Sequence, residues 1–243
     1  MWHGIDLALV WRSLPELGQG LVVTVELSLL TMIAGVLLSV PLGMARASRY
    51  RLLAGPIWAY TYVFRGTPML IQLFLIYYGL AQFADVRSSL LWPVLREGFW
   101  CAVIAFTLNT VAYTTEIVAS AIRNVPHADL EAGRALGMSS WLLQRRIVLP
   151  VALRTLFPAY TNEVIFILQS TSLASLVTVL DLTGMARIVI ARTWSPYELF
   201  VTIGIVYLLL TYGMIWCFAR VEQRLYRHLK REEAGTRVDL RLR

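Results

Sequence analysis

The sequence predicts an all-α integral membrane protein, a helical bundle with five transmembrane helices. Apolar residues make up 58% of the 243 residues and charged residues only 15%, whereas a soluble domain carries about 25% charge. Apolar runs of about twenty residues recur along the chain, and each is long enough to cross a hydrocarbon core of roughly 30 Å. Arg residues gather in alternate connections between these runs, which is typical of a multi-pass topology.

The spans are predicted at residues 20–44, 57–83, 99–122, 156–179 and 199–219. Residues 1–19 lack the basic start and apolar centre of a signal peptide. Their pattern of Trp2, Ile5, Leu9 and Arg12 predicts a short amphipathic helix at the outer interface. We therefore expect an interfacial segment (1–19), a transmembrane domain (20–225) with one long loop at 128–150, and a basic tail (226–243).

The positions of the basic residues predict the orientation. If the 128–150 loop is cytoplasmic, most of the 22 Lys and Arg residues lie on the inner side, as the positive-inside rule requires. The amino terminus is then outside and the carboxyl terminus cytoplasmic. The net charge of +7 follows from this topology, so it does not indicate nucleic-acid binding.

Cofactor and catalytic sites are not expected. Cys101 and Cys217 are isolated within predicted spans, and the three histidines are scattered without metal-ligand spacing. Lys230 is the only lysine and follows Leu229, so the Gly-Lys-Ser/Thr of a phosphate-binding loop is missing. No nucleophile–base motif is present, so we do not expect an enzyme.

The 128–150 loop is polar in an otherwise apolar chain and combines small residues with charges. It predicts a short helix, a break at Gly137, and a second short helix that Ser139 or Ser140 caps and Pro150 ends. Its small side chains would let another protein approach the backbone closely. A helix-turn-helix that only joins two spans is the alternative. The candidate docking residues are Glu131, Ala132, Gly133, Gly137, Ile147, Leu149 and Pro150.

This loop resembles the EAA loop of bacterial ABC-importer permeases, with Gly133 where that family usually has Ala. Three further segments resemble permeases for polar amino acids, of the histidine, arginine and octopine/nopaline type, and the likeness covers about residues 20–225. These segments are Phe64 to Pro68 with Gln72, Ala112-Tyr113 with Glu116, and Asn162-Glu163 followed by Ser170 to Leu173.

The resemblance implies a type I importer permease fold and a role as the permease subunit of an ATP-driven amino acid uptake system in a bacterial inner membrane. Basic amino acids or opines are the implied substrates. The implied partners are ABC ATPase subunits that grip the loop, an extracytoplasmic substrate-binding protein, and a second homologous permease, in a heterodimer rather than a homodimer.

Polar side chains inside the predicted spans are costly in a bilayer and therefore need an explanation. They form stripes on three helices and predict a lined substrate pathway, although such stripes also join helices by hydrogen bonds. Arg65 is expected near the cytoplasmic end, where it could pair with Glu116, and Glu26 is expected to contact a packing neighbour or a partner. The candidate pathway residues are Glu163, Asn162, Glu116, Tyr113, Gln169, Gln72, Arg65 and Thr67.

A proton- or sodium-coupled secondary transporter is the alternative function, because Glu116 and Glu163 could also carry ions. Such transporters typically contain a repeated half and broken helices in both halves. The sequence shows neither feature, which favours the importer.

Overall fold

The computed structural model describes residues 6–225, which are almost entirely helical. Trp2, Ile5 and the basic tail, for which predictions were made above, therefore lie outside the described residues. In chain order the helices are α1 (Leu7–Arg46), α2 (Arg51–Gly66), α3 (Met69–Phe74), α4 (Ala84–Arg87), α5 (Trp92–Leu95), α6 (Gly98–Arg123), α7 (His127–Ala135), α8 (Ser140–Leu143), α9 (Leu149–Ser170), α10 (Leu182–Thr193) and α11 (Pro196–Leu225).

Within this part of the chain, four helices are long and apolar enough to cross a membrane. A fifth span results if the bent pair Arg51–Gly66 and Met69–Gln82 counts as one. The prediction of five spans is met in that sense. The third span agrees closely with its predicted bounds, whereas the first, second and fourth differ in ways that have identifiable causes.

Helix α1 is a single helix of 40 residues, so the separate interfacial helix predicted for residues 1–19 is wrong. Asp6 starts the helix by accepting hydrogen bonds from the backbone N–H groups of Ala8 and Leu9, both at 3.0 Å. Nothing then interrupts it before Arg46, and Pro15 is accommodated within it. Residues 7–19 thus belong to the first span.

Helix α6 forms the centre of the bundle, and α1 packs against it through small side chains. A Cβ atom on Gly43 would lie 2.5 Å from Cβ of Val118, and one on Gly35 would lie 2.7 Å from Cγ2 of Thr110. Small residues at such spacing allow transmembrane helices to approach closely. This contact fixes α6, which carries much of the polar stripe.

The second span is broken between Gly66 and Pro68, and its two parts meet at an angle of 104°. A continuous span at 57–83 was predicted, so this expectation was wrong. Pro68 has no N–H group and forces the preceding residue out of the helical region; Thr67 is accordingly extended, with φ −113° and ψ 141°. Beyond α3 the chain continues as a π-helical turn (Leu75–Gly79) and a 3-10 turn (Leu80–Gln82).

Side chains cap the backbone carbonyls that this break would otherwise leave unpaired. Gln72 Nε2 donates to the carbonyl oxygens of Phe64 (2.7 Å) and Thr67 (3.0 Å). Asn109 Nδ2, on α6, donates to Gln72 Oε1 at 3.0 Å and also approaches the Phe64 carbonyl at 3.4 Å. Unpaired backbone groups at membrane depth are tolerated only where protein or water satisfies them. Gln72 and Asn109 therefore hold the broken helix together.

The 128–150 loop joins the fourth span without a second break. Gly137 ends the first helix with φ +73°, and Ser139 caps the next by accepting from the N–H of Leu142 at 3.3 Å, as predicted. Pro150 does not end that helix, because it lies in the first turn of α9, where a proline N–H is not needed. A π-helical turn (Gln144–Val148) connects α8 to α9, so residues Ser140–Val177 form one span.

At its outer end α9 tightens into a 3-10 helix (Thr171–Val177), which ends at Thr178 with φ +65°. The buried Asp181 then caps α10 by accepting from the N–H groups of Thr183 and Gly184. Tyr207 of α11 donates to the same carboxylate at 3.2 Å. This junction joins the last two helices at the outer side of the bundle.

We predict that Gln72→Leu destabilises the protein because the Phe64 and Thr67 carbonyls lose a donor. Each buried polar group left unpaired costs about 1–3 kcal/mol. The measurement is the thermal unfolding midpoint of the purified protein in detergent.

Gln169→Leu is the matched control, because Gln169 is exposed and its side chain makes no hydrogen bond within residues 6–225. Its midpoint should stay close to that of the wild type. An unchanged midpoint for Gln72→Leu would show that the cap does not stabilise the break.

Candidate functional site

Arg65 ends the first half of the broken span and lies within the membrane. Helix α2 begins at Arg51, earlier than predicted, so Arg65 is about four turns along it. Its guanidinium carbon lies 5.3 Å from the ring centroid of Tyr113, which belongs to the middle of α6. The hydroxyl of Tyr113 donates to the Arg65 carbonyl at 3.3 Å. The predicted position near the cytoplasmic end is therefore wrong.

Glu116 pairs with other arginines instead of Arg65. Its Oε1 accepts from Arg46 Nε at 2.7 Å and from Thr61 Oγ1 at 2.8 Å. Its Oε2 lies 3.5 Å from Arg123 Nη2. The carboxylate thus joins α1, α2 and α6 near the ends of α1 and α6. It is occupied by protein donors, which argues against a role as an ion carrier.

Glu163 is a buried carboxylate on α9, with 7% of the residue exposed. Its Oε1 has no hydrogen-bond partner in the described part of the chain. Thr110 of α6 is beside it, and Arg65 is the positive charge that acts on it. Carboxylates within spans are costly unless they are paired or used. Glu163 is therefore the side chain in these spans that most needs a ligand.

The other predicted pathway residues do not all join this group. Asn162 and Gln169 are exposed, on a different side of α9 from Glu163. Thr67 is exposed at the helix break, where its hydroxyl donates to the Val63 carbonyl at 3.0 Å and receives a bond from Gln72 at 2.7 Å. The structure thus places Tyr113 against Arg65 and leaves Glu163 within electrostatic range of Arg65. It places Gln72 and Thr67 in the break.

A cavity of about 420 Å³ opens beside these residues. Arg65, Tyr113 and Glu116 contribute polar side chains to its wall, together with Ser120, Arg123 and Thr155. A second open cavity of about 530 Å³ on the other side of Arg65 is lined by Arg65, Thr67 and Tyr62. The arrangement provides water-accessible space next to a midspan arginine, with the charge of Glu163 within electrostatic range.

The 128–150 loop exposes some of its candidate docking residues and buries one. Glu131, Ala132 and Leu149 are exposed, and Ile147 and Pro150 are half-buried. Gly133 is buried, and a Cβ atom there would lie 2.5 Å from Leu143 Cδ1 and 2.7 Å from Ile147 Cδ1. Gly133 therefore lets α7 pack closely on the following helix. It is not one of the exposed small residues that another protein could approach.

Sequence reasoning missed two large apolar side chains on this loop. Leu136 is 78% exposed and Trp141 71% exposed, on either side of the turn at Gly137. The available signal was an aromatic and an aliphatic residue next to a helix break in a polar segment. Exposed apolar residues outside the membrane are typical of protein–protein contacts.

Comparison with known proteins identifies the family. Residues 13–227 match the family described as binding-protein-dependent transport system inner membrane component. The nopaline transport system permease protein NocM of Agrobacterium fabrum is 41% identical over 96% of this chain and 97% of its own length. The histidine/lysine/arginine/ornithine transport system permease protein HisM of Escherichia coli K12 is 43% identical over 87% of this chain and 89% of its own.

Solved structures agree with this result. A chain from a crystal structure of an amino acid ABC transporter with histidines superposes with a TM-score of 0.82 at 29% identity. It covers 91% of this chain and 100% of its own length. A chain of the MetNI methionine ABC transporter in an inward-facing conformation has a TM-score of 0.65 at 19% identity, over 90% of this chain and 97% of its own, and supports the fold alone.

These matches confirm the predicted importer-permease fold, the multi-pass location in the inner membrane, and the assignment to the membrane component instead of an ATPase. They favour the importer over the ion-coupled alternative, in agreement with the occupied carboxylate of Glu116. The chain belongs to the family of binding-protein-dependent transport system inner membrane components.

Proposed function

We propose that this chain is the permease subunit of an ATP-driven uptake system for basic amino acids or opines. The buried carboxylate of Glu163, whose Oε1 has no hydrogen-bond partner within the described residues, carries the proposal, because a cation is the ligand that would offset its cost within the membrane. The similar proteins NocM and HisM bear the names of nopaline and of histidine, lysine, arginine and ornithine. All of these substrates contain a basic group.

Glu163 is proposed to recognise the cationic side chain of the substrate. Charge-assisted hydrogen bonds contribute about 1.5–3 kcal/mol, so Glu163→Gln should lower arginine uptake roughly tenfold or more relative to a neutral amino acid. The measurement is ATP-dependent uptake into proteoliposomes that contain the complete transporter, with its binding protein supplied.

Glu198→Gln is the control, since Glu198 lies in the first turn of α11, away from α9's midpoint. It should leave the ratio of arginine to neutral uptake unchanged. If Glu163→Gln also leaves that ratio unchanged, Glu163 does not select cations.

The 128–150 loop is proposed as the surface that docks onto the ATPase subunit. Its Glu131, Leu136 and Trp141 are all exposed, within six residues of the turn at Gly137, which takes the left-handed conformation that glycine readily adopts. Gly133, Ile147, Leu149 and Pro150 support the loop from behind or at its edge. Interfaces of this kind depend strongly on one or two central aromatic or apolar residues.

Trp141→Ala is therefore expected to weaken docking, with at least about 2 kcal/mol lost if Trp141 is a central contact. Less ATPase should co-purify with the permease, and substrate-stimulated ATP hydrolysis should fall, while the permease still accumulates in the membrane. Trp194→Ala is the control, because Trp194 is 88% exposed at the end of α10. Equal ATPase recovery from both variants would contradict the proposal.

A second permease subunit is proposed to cover the outward side of α1. Val22, Leu29, Ile33 and Leu37 form an exposed apolar stripe along that helix, and Glu26 lies within it. A carboxylate facing lipid at this depth is costly, so a protein neighbour is the better environment. From the family resemblance we infer that this neighbour is a homologous permease and not an identical copy.

The orientation and domain limits are part of the same proposal. The amino terminus is outside, where a binding protein delivers substrate, and the loop and carboxyl terminus are cytoplasmic. The positive-inside pattern supports this arrangement even with Arg65 moved to midspan. The permease domain then begins within α1, before residue 20, because Leu7–Arg46 is one helix and the family match starts at residue 13.

Purification of the tagged chain from its native host in mild detergent tests the assembly. We expect mass spectrometry to find an ATPase and a second, non-identical permease in comparable amounts. Recovery of the ATPase with only this permease would overturn the heterodimer. A lone chain that drives uptake without ATP would overturn the importer assignment for this protein.

A further inference from the structure

The guanidinium of Arg65 has no carboxylate within ion-pair distance in the described residues, and Glu163 acts on it only from farther away. None of the ion pairs in the described residues involves it, and its side chain is exposed to two open cavities. An intramembrane arginine is expected to pair with an anion or to serve a function. We propose that Arg65 binds the carboxylate of the transported substrate.

The side chain is held in place for such a role. The ring of Tyr113 lies against the guanidinium at 5.3 Å, and its hydroxyl holds the Arg65 backbone through the carbonyl. The caps at Gln72 and Asn109 fix the preceding carbonyl, that of Phe64. Tyr113 is thus a positioning residue that acts on both the backbone and the side chain of Arg65.

The chemistry of the group favours a carboxylate. A guanidinium offers five N–H donors in a rigid fork that matches two carboxylate oxygens. The other arginine on the cavity wall, Arg123, already lies 3.5 Å from Glu116. Arg65 is therefore the cation on this wall that is free to take a ligand anion.

The proposal rests on the proposed function and adds a second point of recognition. Glu163 lies within electrostatic range of Arg65. A basic amino acid would place its cationic group at Glu163 and its carboxylate at Arg65. The two charges of the substrate would then be matched separately. A single permease chain contains both elements of this pair.

Two ratios of dissociation constants separate the two contacts. The ratio of the dissociation constants of arginine and argininamide measures recognition of the carboxylate, because the two ligands differ only in the amide that replaces this group. Arginine against citrulline measures recognition of the cationic side chain. Both are measured by isothermal titration of the permease–ATPase complex without the binding protein, so that the permease alone discriminates.

Arg65→Gln should reduce the preference for arginine over argininamide roughly tenfold or more, and it should leave the arginine-to-citrulline ratio unchanged. Glu163→Gln should do the reverse. Arg123→Gln is the matched control and should preserve the acid-to-amide ratio. A purely structural role of Arg65 would weaken all three ligands alike, and this result would overturn the proposal.

Arg65→Lys covers the case in which Arg65→Gln fails to assemble. Lysine retains the charge but lacks the paired N–H donors of a guanidinium, so the preference for arginine over argininamide should fall by a smaller factor. Tyr113→Phe removes only the hydroxyl and should shift the same ratio in the same direction. Unchanged ratios in both variants would overturn the assignment of Arg65.

Failure of the proposed function gives a different pattern. If the acid-to-amide ratio depends on Arg65 but Glu163→Gln does not alter the arginine-to-citrulline ratio, the carboxylate site holds and the selection of cations by Glu163 fails. If the wild-type complex shows no preference for arginine over argininamide, the carboxylate site fails whatever the side-chain ratio shows.

Discussion

The capped break in the second span is the interaction on which the polar interior depends. In a continuous helix, residues 57–83 would cross the bilayer in one straight segment, and the helix would run on past Arg65. Pro68 prevents this, and the Gln72 and Asn109 amides make the break tolerable by pairing its carbonyls. Backbone polarity in a membrane must be satisfied within the protein, so the same bonds that stabilise the break also determine where Arg65 lies.

The polar stripes divide into two groups with different physical roles. Gln72, Glu116 and the Nδ2 group of Asn109 are engaged by protein partners, and these bonds join α1, α2, α3 and α6. Among the described residues, Arg65 makes no ion pair and lies beside open space, whereas Glu163 is buried and its Oε1 has no hydrogen-bond partner. Polarity along a helix face does not distinguish these groups, because the difference lies in what the neighbouring helices supply.

The sequence was sufficient for the family, the number of spans and the helical break in the 128–150 loop, because apolar length, turn residues and fixed motif spacing are local properties. The turn at Gly137 and the Ser139 cap were also predictable from residue type. The broken span was missed although Pro68 was visible, because prolines such as Pro15 and Pro41 are accommodated inside a continuous helix of the same protein. The burial of Gly133 depends on Leu143 and Ile147 across the turn, which no single-helix pattern reveals.

The continuity of α8, the π-helical turn and α9 has a mechanical consequence. Trp141, Glu163 and the closing 3-10 turn belong to one continuous helical segment, Ser140–Val177. At about 1.5 Å per residue, this segment separates Trp141 from Glu163 by roughly 33 Å. No non-helical linker separates the exposed Trp141 from the buried carboxylate, so a displacement at one end of the segment reaches the other through helix alone.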